Sequence, residues 1–402
     1  MKVGVGEEEM EAVKAVAFKH NVNVKPLLQT FNDMVKECIR YALDHNVSSP
    51  MKVERALYDE FKRRYGLATH YCISASRVAC GVIRSWKRLV KKGRADPSDP
   101  PTLDALSMRL QKELMRFKGD RIVITTRPYH HVEVPLIVGS YQKRFIDAWR
   151  NGELSLGEVT LLEDRAVIAF KKTIEEKTPK GYASIDVNLM SIDFLKVKGG
   201  LAEYRKVDLK KLYGIRVHYF EKRRKIQSFS KYNPITSKRL MQKYSRRERR
   251  RVNDMLHKVT TSIVKELSQE GLAPIFENLK GLSYNATRNR YAKQKNRKVA
   301  SLPYRKVQNF IEYKMAWLGY RTHYVSARNT SKTCPRCGRL SKADGQAFRC
   351  VHCGYEADRH FVACVNMLRM WGHGFAPKAL DEMIEREGLG RDKSNKRLCI
   401  ST

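Results

Sequence analysis

Two Cys-x-x-Cys pairs, Cys334 and Cys337 in TCPRCG and Cys350 and Cys353 in CVHCG, constrain this chain more than any other feature. Residues 338 to 349 separate them, and each pair is followed by a glycine, Gly338 or Gly354. This is the spacing of two zinc knuckles, in which a tight turn points two thiolates at one ion. Four thiolates close a tetrahedral shell, so zinc held here is structural and has no open position for a substrate. The remaining cysteines, Cys38, Cys72, Cys80, Cys364 and Cys399, are scattered and read as small buried or surface residues. An odd total of 9 with no leader sequence fits a reducing, intracellular setting.

Charge narrows the partner. The 402 residues carry 79 Lys and Arg against 42 Asp and Glu, a formal net charge of +37. A chain this basic repels itself without a polyanion nearby, and nucleic acid is the expected one. The 42% apolar content argues against wholesale disorder, and no apolar run is long enough to cross a membrane. The cations are clustered: residues 216 to 251 hold 14 Lys or Arg against Glu221 and Glu248 alone, with Tyr219, Phe220, Phe229, Tyr232 and Tyr244 among them. Residues 280 to 306 hold 9 more and no acid. Arg246, Arg247, Arg249, Arg250 and Arg251 in the first tract are candidate phosphate contacts. So are Arg288, Arg290, Lys293, Lys295 and Arg297 in the second, and the aromatic rings could stack on unpaired bases.

The periodicity predicts a strand over 12–20, then helices over 25–44, 51–65 and 73–92, broken by ADPSDPP at 95–101. From about 120 to 170 the apolar period falls to two, and these strands are expected to join the first in a small sheet or barrel. After a linker at 178–181 come strands at YASIDVN, SIDFLKV and EYRKVDL, then a long helix near 244–269. A strand at APIFEN, a helix with Val307 and Ile311, a strand at RTHYVSA, the cysteine module and a last helix follow. Without the module the order is β-β-β-α-β-α-β-α, that of an RNase H-like α/β domain with a mixed sheet.

In that order three acids converge at one edge of the sheet: Asp186 late in the first strand, Glu277 ending the fourth, and Asp358 opening the last helix. Three hard oxygen donors suit Mg²⁺ or Mn²⁺, and two such ions can activate a water and stabilise a leaving oxygen. Each acid also has a plain reading, Asp358 as a helix N-cap above all. Asp193 and Asp208 are weaker candidates, expected to face solvent or basic neighbours. His257, beside an apolar stripe, is expected to be packed.

IDVN at 185–188, RRRVNDMLHK at 249–258, ENLKGL at 277–282, TSKTCPRCG at 330–338 and CGYEADRH at 353–360 together resemble the TnpB family of transposon-encoded proteins, related to type V CRISPR effectors. The resemblance implies a multidomain α/β chain. A β-barrel-like wedge domain would occupy 1–24 and 103–178, interrupted by a helical recognition insert at 25–102. A RuvC-like nuclease domain would occupy 179–330 and 356–375, interrupted by a zinc-binding module at 331–355, with a tail at 376–402. It further implies an RNA-guided DNA endonuclease in the cytoplasm of a prokaryotic cell, associated with the nucleoid. Its partners would be a transposon-end-derived guide RNA, double-stranded target DNA with a short adjacent motif, and a separate transposase in functional partnership. Structural zinc and catalytic Mg²⁺ or Mn²⁺ would be its metals, with Asp186, Glu277 and Asp358 at the matching catalytic positions. A nuclease-weakened, RNA-guided DNA-binding regulator is the alternative. The chain departs from the family pattern twice. Asn188 stands where the first motif often has Gly, and the third motif, often Asp-Arg-Asp followed by Asn and Ala, reads Asp358-Arg359-His360, then Phe361 and Val362.

Overall fold

A computed structural model describes residues 9–103, 105–279, 304–341 and 343–389. The described residues fall into two compact units, Glu11–Thr173 and a larger one that begins at Ile174. The architecture is mixed α/β in both.

The unit at Glu11–Thr173 begins in strand β1 (Glu9–Lys19) and passes into helices α1 (Lys25–Asp44), α2 (Pro50–Tyr65) and α3 (His70–Lys91). In α1, Leu28, Phe31, Met34, Val35, Cys38, Ile39 and Ala42 recur at helical spacing and are all buried. Phe31 meets Tyr71 of α3 edge-on, 6.4 Å between centroids. The strands beyond form two ladders. One has the order β1-β7-β6-β2, with β2 at Ser107–Leu110, β6 at Ser155–Leu162 and β7 at Arg165–Glu175. The other joins β3 (Met115–Phe117), β4 (Arg121–Arg127) and β5 (His130–Pro135). Phe18, Phe117 and Phe170 pack together behind both. An additional helix, α4 (Ser140–Arg150), interrupts the region of period-two alternation and buries Phe145 and Ile146.

The larger unit is built on five strands in the order β10-β9-β8-β11-β12. Strands β8 (Gly181–Val187), β9 (Ser191–Lys198) and β10 (Leu201–Asp208) run antiparallel as a meander. Strand β11 (Leu272–Glu277) lies parallel to β8 and to β12 (His323–Val325). Between β10 and β11 run two helices, α5 (Lys210–Ser228) and α6 (Pro234–Glu270), where the sequence led us to expect one. The α5 period is masked because cations occupy so many of its positions. After β11 come α7 (Tyr304–Ala316), then α8 (Arg359–Met370) and a further helix, α9 (Pro377–Glu387), in the stretch expected to be a tail.

Both faces of the sheet are covered. Ile185, Ile192, Phe194 and Phe276 pack with Val252, Leu256 and Ile263 of α6 and Val307 and Ile311 of α7. Leu195, Ile275 and Val325 point to the other face and pack with Phe361, Val362 and Val365 of α8 and Leu380 and Met383 of α9. Each such side chain contributes about 1.5–3 kcal/mol on burial, which is why the central strands read as near-continuous apolar runs. An acid inside such a run is costly unless partnered, and Asp186 and Asp193 both lie there. At Gly181 any Cβ would collide with the Val197 carbonyl, so that strand start admits no side chain.

Between β12 and α8 sits a small three-stranded antiparallel sheet of β13 (Ala343–Asp344), β14 (Ala347–Arg349) and β15 (Glu356–Asp358). Cys350 and Cys353 lie between its last two strands, Cys334 and Cys337 lie in the turn before it, and its last strand runs directly into α8.

Candidate metal centre and carboxylate edge

The two Cys-x-x-Cys turns have the same backbone design. The N–H of Gly338 donates to the Cys334 carbonyl at 2.9 Å, and that of Gly354 to the Cys350 carbonyl at 3.0 Å. Both glycines are left-handed, φ +74° and +71°, where a side chain would be strained. The turns face each other so that the four sulfurs lie within 4.8 Å of one another, with Cys334 Sγ 3.6 Å from Cys353 Sγ and Cys337 Sγ 3.5 Å from Cys350 Sγ. A tetrahedral zinc with bonds of about 2.3 Å needs sulfurs about 3.8 Å apart, so the arrangement fits a zinc ion. Burial opposes ionisation of Cys350, but the Ser341 hydroxyl and the N–H groups of His352 and Cys353 outweigh it and bring the thiol down to about 6. Among the described residues this is the one cluster of three or more His, Cys, Asp or Glu side chains disposed to hold a metal.

The carboxylates converge differently from the sequence expectation. Asp186 and Glu277 do end neighbouring parallel strands, with Ile185 opposite Phe276 in the register. Glu277 accepts the Thr330 hydroxyl through Oε1, and its own carbonyl accepts Gln308 Nε2 at 2.9 Å. Burial first, then the Asp186 charge, push the Glu277 carboxyl up to about 7, against the pull of Arg359 and His360.

Asp358 is the N-cap of α8. Its Oδ1 accepts the backbone N–H of His360 at 2.7 Å and of Phe361 at 3.4 Å, while Oδ2 lies 3.7 Å from Lys206 Nζ. The side chain that reaches the Asp186 carboxylate from α8 is His360, with Nδ1 3.0 Å from Asp186 Oδ2. An ionised carboxylate only accepts, so Nδ1 carries the proton. Burial alone would lower the basicity of His360, but the charges of Asp186, Asp193 and Asp358 outweigh it and raise it.

Asn188 supplies a second donor. One amide nitrogen reaches Asp186 Oδ2 and Asp193 Oδ2, each at 2.9 Å. Asn188 and His360, two of the residues that depart from the family pattern, thus meet at a single oxygen. Asp193, expected to face solvent or basic groups, corrects the first half of that reading: it is 0% exposed. Its Oδ1 accepts the Tyr204 hydroxyl at 2.7 Å and lies 3.4 Å from Lys206 Nζ, and its Oδ2 also accepts Ser191 Oγ. The signal lay in the hairpin: residues 186 and 193 are register partners across a turn at 188–190, and both sit between apolar neighbours. Asp208 is exposed and pairs with Lys210, as expected. His257 stacks on Phe310, 4.0 Å between centroids.

The basic tract around Arg246 forms the first half of α6. Buried Glu248 holds Arg216, at 3.0 Å, and Arg223 of α5, locking the two helices side by side. Lys222 lies over the Tyr244 ring at 4.6 Å. Arg246, Arg247, Arg249, Arg250 and Arg251 are all exposed. Arg288, Arg290, Lys293, Lys295 and Arg297 lie outside the described residues.

Residues 304–367 match the family described as Cas12f1-like, TNB domain, and residues 165–279 the family described as Probable transposase. Residues 27–125 match the Uncharacterized protein MJ0013 family. A TnpB-like protein of Methanocaldococcus jannaschii is 34% identical over 259 residues, 64% of this chain and 92% of that protein. A second TnpB-like protein of the same organism is 26% identical over 89% of this chain and 84% of its own length. A CRISPR-associated endodeoxyribonuclease, Cas12f1 of an uncultured archaeon, is 32% identical over 74 residues, 16% of this chain and 14% of that protein. Sharing a third of its aligned positions over nearly the full length of the first of these, the chain belongs to the TnpB-like family.

Proposed function

We propose that this chain is an RNA-guided DNA-binding protein of the TnpB nuclease type. It takes a guide RNA made from a transposon end and engages a matching duplex beside a short motif, in functional partnership with a separate transposase. The net charge of +37 and the exposed arginines of α6 support a polyanionic partner. The strand order β10-β9-β8-β11-β12, a three-strand meander with two parallel strands added beside its first, supports an RNase H-like, RuvC-type reading of the larger unit. The two ladders of the smaller unit are compatible with a barrel-like wedge around a helical recognition insert.

In the endonuclease reading, Asp186, Glu277 and Asp358 would hold two Mg²⁺ or Mn²⁺ ions and a phosphodiester would be hydrolysed there. The residues do not fit that pair of ions. Asp358 is committed to the α8 cap and faces Lys206, Asp186 Oδ2 already accepts two donors, and the inward side chain of α8 is an imidazole. Magnesium prefers hard oxygen ligands in octahedral array, for which a ring nitrogen is a poor substitute. The geometry therefore favours the alternative: a protein that finds its target by guide pairing and cuts it slowly or not at all. The observation that carries this is the inward position of His360.

The test is to purify the full chain, sequence the RNA that accompanies it, and incubate the complex with a matching duplex and Mg²⁺. Retention of the matched duplex in a gel, with little cleavage, is expected. Absence of a defined RNA sinks guided binding, and rapid Mg²⁺-dependent cutting restores the endonuclease reading.

A further inference from the structure

Every carboxylate at the sheet edge is answered by a donor from the chain itself. Asp186 Oδ2 takes His360 Nδ1 at 3.0 Å and Asn188 Nδ2 at 2.9 Å. Asp193 takes Asn188, Ser191 and Tyr204, with Lys206 at 3.4 Å. Asp358 takes two backbone N–H groups, with Lys206 at 3.7 Å. The Lys206 ammonium stands between Asp193 and Asp358. Glu277 takes the Thr330 hydroxyl.

A divalent cation at such an edge requires carboxylate lone pairs directed at one point and negative charge left unbalanced. Here Asp186 Oδ2, both Asp193 oxygens, Asp358 Oδ1 and Glu277 Oε1 already face donors of the chain, and Lys206 offsets part of the charge of the four acids. The His360 ring is 12% exposed and sits at the start of α8, whose Phe361 and Val362 are fully buried. A metal would have to displace His360 from Asp186 and draw Asp358 off its cap.

We propose that His360 and Lys206 occupy the place of divalent cations at this edge, and that His360 is the group that closes its Asp186 side to a metal. The inference rests on the guided-binding reading above and adds the residue that separates binding from cutting. His360→Asp replaces a donor on Asp186 by a further acid at the same spot. It leaves the Asp358 cap intact, because that cap binds the backbone N–H of position 360 and not its side chain.

The test measures Mn²⁺ binding by electron paramagnetic resonance on the full chain freed of nucleic acid at high salt, zinc retained. Wild type, His360→Asp, and His360→Asp combined with Asp186→Asn are compared. The expected result is a Mn²⁺ site in His360→Asp at least about tenfold tighter than any in wild type, lost in the double variant. A matching gain of Mn²⁺-dependent cleavage is expected when guide RNA and target are supplied. Two results overturn the proposal: wild type binding Mn²⁺ as tightly as His360→Asp, or a folded His360→Asp, judged by zinc content and circular dichroism, gaining no site. Should His360→Asp fail to fold, wild type is compared with Asp186→Asn alone. A wild-type Mn²⁺ site lost in Asp186→Asn overturns the proposal, and its absence upholds it. Guided DNA binding is read separately in a gel with EDTA, so its loss strikes the functional reading and leaves the metal result standing.

Discussion

Asp193 is wholly out of solvent yet gathers three hydrogen-bond donors and a nearby ammonium, whereas Asp208, also on the meander, lies in water beside Lys210. The same residue type should therefore respond oppositely to mutation of its surroundings. Tyr204→Phe removes one donor from a buried carboxylate and should lower stability by about 2 kcal/mol in urea unfolding. Asp208→Ala should stay within about 0.5 kcal/mol of wild type. A flat result for Tyr204→Phe would mean that the Asp193 network contributes nothing to the fold. The cysteines, Asp186 and Glu277 were legible in the sequence because spacing and strand position fix them. Asp358 was ambiguous because an acid opening a helix serves equally as cap or ligand, and only the direction of its side chain separates the two. The burial of Asp193 was not read because it depends on the hairpin register pairing it with Asp186, which no single strand pattern displays.

Among the elements, α8 and α6 are held in ways that can be tested separately. The sulfur cluster folds a sheet whose last strand delivers the first turn of α8, and buried Asn366 ties that helix to the carbonyls of Thr330 and Thr333, both at 2.7 Å. Removing zinc with a strong chelator, or making Cys337→Ser, should therefore loosen α8 as well as the module. Amide hydrogen exchange should rise over residues 359–366 together with 334–358; protection that persists in the helix alone would show that the ribbon does not support it. On α6, Arg246, Arg249 and Arg250 are exposed on a helix whose fold is secured elsewhere, by Glu248 and the Val252 to Leu267 stripe. Replacing the three by Gln should leave the melting temperature nearly unchanged while weakening RNA binding. The slope of log K against log salt should fall by about 0.7–0.9 for each phosphate that is no longer neutralised. An unchanged slope would remove these arginines from the interface. Helix α6 was predicted from its apolar stripe, but α5 and the first turns of α6 were read only as charge, since cations fill positions that would otherwise reveal a period.

For the chain as a whole, the net charge sets the conditions under which the protein is stable. Freed of nucleic acid, a chain at +37 is strained by its own repulsion, and added salt should screen this and raise its melting temperature. With RNA bound, the same salt should lower it, because salt releases the ligand that stabilises the folded state. Opposite signs in the two preparations are the expected calorimetric outcome; equal signs would show that nucleic acid does not relieve the charge. The succession of strands in the larger unit was readable because apolar or alternating runs stand there between turns. The division of the smaller unit's strands into two ladders was not readable, since alternation tells which face a residue takes but not which strand lies alongside.

Asp358 is the final residue of the cysteine module's sheet and also the cap of α8, with no linker between them. That continuity governs how such proteins can be recombined. A chimera joined between residues 355 and 360 would rotate the first turn of α8 relative to the sheet and turn residue 360 away from its target oxygen. Domain exchange should succeed only when the donor segment extends through Asn366, so that ribbon, cap and inward side chain travel as one inherited block.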